Sequence, residues 1–232
     1  IAMKMLSYLR IQDHKDRITF YSKSKNHALR TEAFAALIRL MEKDDVLTAF
    51  IKQKHDLSLL DINVVINAVL KNFKTKIDYE SLLNSTLLRK IIIGSLLVKY
   101  RNLNQYNKLL LNHIKNGNSN IKGNHYILLR NIVWDAFLET ADENVALEAI
   151  TSHLNIEPDE VKQVILEKSY KIKDKRLTEL ISNIIESLTL INKVEALKIL
   201  FNTDVNRFID FKYSENTETV KAFNEVSDIN IN

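Results

Sequence analysis

Three arginines are the side chains whose spacing in this sequence most invites a chemical role. Arg30, Arg89 and Arg130 each follow an apolar pair, Ala28-Leu29, Leu87-Leu88 and Leu128-Leu129. Each has a small residue six positions on (Ala36, Ser95, Ala136) and a large apolar one at the seventh (Leu37, Leu96, Phe137). A guanidinium forks around carboxylate or phosphate oxygens. A row of three at one repeated position could therefore line a surface that binds an anionic group or a protein partner. The structural alternative is a ladder of charge-assisted bonds to the neighbouring repeat, and the sequence leaves both open.

Other chemistry has little to work with. The chain has no cysteine, which removes thiolate nucleophiles, disulfides and cysteine-ligated metals. Its six histidines, His14, His27, His55, His113, His125 and His153, are scattered, and no two share the helical spacing that aims both imidazoles at one metal. Gly94, Gly117 and Gly123 form no phosphate cradle and no nucleophile elbow. The acidic pairs Asp44/Asp45, Asp142/Glu143 and Asp159/Glu160 fall at expected helix starts, where capping and the helix dipole account for them. The expectation is no catalytic residue, no cofactor and no metal. Trp134-Asp135 is the one dipeptide to suggest otherwise, as an aromatic and a carboxylate that could trap a damaged base.

The elements that must position these residues are helices. Three glycines and one proline in 232 residues are too few for turn-rich β architectures or doubly wound sheets. Leu29, Ala33, Ala36, Leu37 and Leu40 recur at helical spacing, as do Val65, Ala68, Val69 and Phe73. The pattern predicts antiparallel pairs over 27–41 with 45–54, 58–73 with 78–85, 86–101 with 105–115, and 125–140 with 143–154. Two short helical stretches, 3–10 and 13–22, precede them. Further helices follow at about 158–170, 175–191 and 193–202, without the repeated signature.

The organisation read from this is a basic N-terminal helical segment (1–26), repeats (27–154), a C-terminal helical cap (155–213) and an acidic mobile tail (214–232), all in a single domain. Residues 1–30 carry seven basic and two acidic side chains, and residues 214–232 one basic and four acidic. The apolar run Ile91–Val98 is about half the length a membrane span needs. Because the sequence begins with Ile1, an upstream signal or anchor is an open expectation.

Helix pairs of this length, mid-helix small residues and Leu29-Arg30-Thr31-Glu32-Ala33-Phe34-Ala35-Ala36-Leu37 resemble HEAT or armadillo-type repeats. The resemblance covers about 27–155, and residues 27 to about 115 also look similar to poorly characterised bacterial HEAT-repeat proteins, some with an N-terminal membrane anchor. The first-helix proline of that pattern is missing here. The resemblance implies an all-α solenoid, a superhelix of antiparallel helix pairs, whose face binds another macromolecule. The expected function is a non-enzymatic scaffold for protein–protein interaction, cytoplasmic or held at the cytoplasmic face of a membrane by an upstream segment. The alternative is a nucleic-acid-binding HEAT-like protein such as a DNA alkylation-repair glycosylase, in which Asp135 would serve the chemistry.

Overall fold

A computed structural model of the chain describes residues 12–40, 58–71, 77–117 and 123–231, with single positions 3 and 47. The fold of the described residues is all-α, helices joined by turns and short loops, with no strand among them. No helix among them is long and apolar enough to cross a membrane. The expected helices at 3–10 and 45–54 lie outside the described residues.

Residues 1–101 and 102–232 form two compact units, where the sequence reading treats the chain as one domain. The boundary follows a helix end at which Asn102 takes φ 50°. Asparagine tolerates this left-handed conformation better than most residues do.

The first unit contains α1 (Lys15–Tyr21), α2 (His27–Leu40), α3 (Leu59–Lys71), α4 (Tyr79–Leu83) and α5 (Leu88–Arg101). Helix α2 packs between α1 and α3, and α5 packs on both α3 and α4. Flanked helices lose their polar face. Ala33 to Ile38 in α2 and Ile91 to Val98 in α5 are buried without interruption, as expected of a helix with neighbours on more than one side. Each large apolar side chain so buried contributes about 1.5–3 kcal/mol. Gly94 lets α5 approach α4 closely, since a Cβ there would stand 3.0 Å from Leu82 Cβ. Asp78 caps α4 as its position predicts, accepting from Ser81 N at 3.0 Å.

The second unit contains α6 (Asn107–Asn116), α7 (Asn124–Thr140), α8 (Glu143–His153), α9 (Asp159–Ser169), α10 (Lys175–Ile184), α11 (Leu190–Thr203), α12 (Val205–Asp210) and α13 (Thr217–Ile231). Helices α7, α9, α11 and α13 pack successively side by side, and α6, α8 and α10 do the same. The mid-helix small residues Ala36, Ala68, Ser95 and Ala136 are all fully buried in their own units, where little else would fit between close helices.

A side-chain ladder with a nearly constant register follows this arrangement. In the first unit Thr31 Oγ1 donates to Asp61 Oδ1 at 3.0 Å, 30 residues on, and Arg101 reaches Val69 O at 3.3 Å, 32 residues back. In the second unit Asn107 Nδ2 donates to Thr140 O (2.8 Å, 33 residues apart) and Arg176 to Asn144 Oδ1 (3.0 Å, 32 apart). Asn192 Nδ2 donates to Asp159 O (3.1 Å, 33 apart) and Thr219 Oγ1 to Glu186 (2.7 Å, 33 apart). The contact register thus continues past residue 155, where the repeated sequence signature stops.

The C-terminal segment differs from its expected mobility. Residues 217–231 form α13, started by Asn216, whose Oδ1 accepts from the backbone of Glu218 and Thr219 at 3.0 and 3.3 Å. Ala222, Phe223 and Val226 are buried, and Phe223 stacks on Phe208 with ring centroids 4.6 Å apart. A thin apolar stripe is enough here because α11 and α12 present an apolar surface that would otherwise face water.

Candidate functional site

The three repeated arginines do not share one environment. Arg30 is buried in the first turn of α2 and donates to Ser24 O at 2.8 Å, holding the loop that precedes its own helix. Arg89, in the first turn of α5, is half-buried and engaged. Arg130 is 4% exposed and spends every nitrogen inside the second unit. Its Nε and Nη2 fork onto Glu157, and Nη1 donates to the carbonyls of His113 (2.7 Å) and Ile114 (3.0 Å). Tyr126 stacks on the guanidinium, with Arg130 Cζ 5.8 Å from its ring centroid. Burial lowers the pKa of Arg130, yet an arginine stays charged in proteins. Arg130 thus bonds across elements, as the ladder expectation has it, whereas the Arg30 bond to Ser24 O stays at the start of its own helix.

Trp134 is fully buried and donates from Nε1 to Glu157 at 2.9 Å. Phe137 and His153 meet it edge-on. An indole held this way has no face for a nucleobase. Asp135 lies 3.1 Å from Lys168 Nζ, and this hydrogen bond raises the lysine's pKa. Glu139 receives Lys171 at 3.4 Å. Lys168 and Lys171 are thus tied to α7, one register back.

A second polar cluster surrounds Asp61 in the first unit. The carboxylate accepts from Ser58 N and Oγ, from Thr31 Oγ1, and lies 3.1 Å from His27 Nε2. Burial pushes this carboxyl up, but the hydrogen bonds from Ser58 and Thr31 outweigh it and hold the pKa below the usual value. Ser58 and Asp61 form a capping box at the start of α3. The serine hydroxyl donates to the aspartate rather than to an imidazole, so nothing here activates a nucleophile.

One edge of the second unit is less conventional. The starts of α9, α11 and α13 lie together there, joined by the Asn192–Asp159 and Thr219–Glu186 bonds. Ile156 is 78% exposed and Ile191 60% exposed. At the starts of α11 and α13, where Glu186 meets Lys193 and Thr219, Glu186, Asp210, Phe211, Ser214, Glu215 and Asn216 line an open hollow of about 500 Å³. The Lys193 side chain is only 1% exposed, with its ammonium 3.9 Å from both Glu186 and Glu218. Sequence reasoning missed this edge, because Glu218 lies 25 residues beyond Lys193 and all three, Glu186 included, sit in unremarkable contexts. Glu157 was missed as well, although its distance of 27 residues from Arg130 lies close to the repeat length.

Among the described residues no group of three histidine or acidic side chains is gathered in a way that could hold a metal. No family model, curated protein or solved structure matches this chain.

Proposed function

We infer that this protein is a non-enzymatic helical-repeat scaffold, of the HEAT or armadillo kind, that acts in the cytoplasm by holding a protein partner. The observation that carries this reading is the register. Helices α7, α9, α11 and α13 pack in succession, α6, α8 and α10 form a second succession, and cross-links recur at 32–33 residues. A stack of this kind multiplies one supersecondary unit and offers long edges and faces for a macromolecule. The repair-enzyme alternative draws no support from Trp134, which is enclosed in the core, or from Asp135, which faces Lys168.

The test sets partner capture against DNA chemistry. The purified chain should recover a stoichiometric protein partner by chemical cross-linking in cells. It should bind duplex DNA without the steep salt dependence that phosphate contacts produce, and should release no base from alkylated DNA. Base release that Asp135→Asn abolishes would replace the scaffold reading with the repair enzyme.

A further inference from the structure

The edge formed by the starts of α9, α11 and α13 pairs apolar side chains with a carboxylate surplus. Ile156 and Ile191 lie on adjacent starts, because Asn192 Nδ2 bonds to Asp159 O at 3.1 Å and so ties α11 to α9. Nothing in folding requires either isoleucine to face water, and a large exposed side chain gains its burial energy only against a partner. The hollow at the starts of α11 and α13, reached through Glu186, carries Glu186, Asp210 and Glu215 and no basic residue in its lining. Asp159, Glu160 and Glu218 add exposed carboxylates at the same helix starts.

Three lysines, Lys162, Lys193 and Lys212 in the segment that lines the hollow, stand against six carboxylates, Asp159, Glu160, Glu186, Asp210, Glu215 and Glu218, so a surplus remains. Lys162 is held by Asp159 at 3.3 Å, and Lys193 is sunk between Glu186 and Glu218. A helix start carries only about half a positive charge, so the carboxylates exceed what capping needs.

We propose that this edge is a docking site for a basic amphipathic helix of a protein partner. The apolar face of that helix would cover Ile156 and Ile191, and its lysine or arginine side chains would enter the hollow at Glu186, Asp210 and Glu215. The inference rests on the scaffold reading and names the chemistry of the partner. Apolar anchoring supplies most of the affinity in such a groove, and charge complementarity sets orientation and on-rate.

The test uses the full chain and a fluorescent synthetic helix of leucine and lysine, with leucines at i, i+3, i+4 and i+7. The control peptide carries glutamate in place of every lysine. Anisotropy should show saturable binding of the lysine helix that weakens with salt, and none of the glutamate helix. Ile156→Asp and Ile191→Asp should each weaken binding by about tenfold or more, as should the double reversal Asp210→Lys/Glu215→Lys. Both isoleucines are exposed, so circular dichroism melts of these variants should match the parent. Lysine-helix binding that survives all three changes, or equal binding of the glutamate helix, overturns the docking site while leaving the scaffold reading intact. No binding of either peptide also overturns the docking site. Only tight, salt-steep binding of duplex DNA added as competitor would bring down the scaffold reading itself.

Discussion

Replacing Glu157 with leucine should destabilise the second unit more than any surface change can. The carboxylate accepts from Arg130 Nε at 3.1 Å, from Arg130 Nη2 and from Trp134 Nε1 at 2.9 Å, and both ion-pair side chains are almost fully buried. Removing one partner of a buried pair leaves an uncompensated charge, at a cost of about 3–5 kcal/mol. Two carbonyls, His113 O and Ile114 O, still hold Nη1, so the lower part of that range is expected. The orphaned indole N–H belongs to the same loss rather than adding to it in full. Arg130→Met should cost a similar amount, and the double variant Arg130→Met/Glu157→Leu less than either alone, since an apolar pair leaves no buried charge. Trp134 is the only tryptophan, so its fluorescence during urea unfolding reports this neighbourhood selectively. Additive single effects, or a cost below about 1 kcal/mol for Glu157→Leu, would refute the claim that Arg130 is a buried structural strut.

Other consequences follow from the same geometry. Phe223→Ala should cost about 2–4 kcal/mol by removing a buried ring stacked on Phe208, read by thermal melting; an unchanged Tm would return the C-terminal segment to the mobile state that its composition suggests. Gly94→Ala should be net destabilising by about 1–2 kcal/mol, because the contact with Leu82 Cβ at 3.0 Å outweighs the gain in helix propensity. Asp174, pulled down to about 2 by the Arg176 side chain, should titrate there by NMR and move upward in Arg176→Gln. The Asp61 carboxyl has a folded pKa below its unfolded one, so its stabilisation is present at neutral pH and disappears as pH falls from about 4 through the lowered value. Asp61→Asn should flatten that part of the acid unfolding curve measured by circular dichroism.

Helix identity was legible because apolar spacing survives in almost every element, and mid-helix positions such as Ala36 and Ala136 had to be small to admit a neighbour. The cap at Asp78 was legible for the same local reason. Continuation of the contact register past residue 155 was not, because there it is kept by polar cross-links such as Asn192–Asp159 and Thr219–Glu186. These bonds need only a donor and an acceptor, so no fixed residue type recurs. The fate of the three arginines was equally hidden. One repeated position carries Arg130 onto Glu157 and Arg30 onto a loop carbonyl, and only the neighbouring element decides which. The apolar, acid-rimmed edge depends on helix starts brought together over more than sixty residues of chain, and no local pattern announces that.

The register itself is open to direct test, because a chain without cysteine allows introduced thiols to be read without background. Asn107→Cys/Thr140→Cys and Glu186→Cys/Thr219→Cys join positions that hydrogen-bond across 33 residues, whereas Asn107→Cys/Thr219→Cys joins α6 to α13, the first and last helices of the second unit. With a short thiol-to-thiol cross-linker, the first two pairs should close rapidly under native conditions and the third should not. Failure of the first two, or closure of all three at similar rates, would contradict the stacked helical-repeat account.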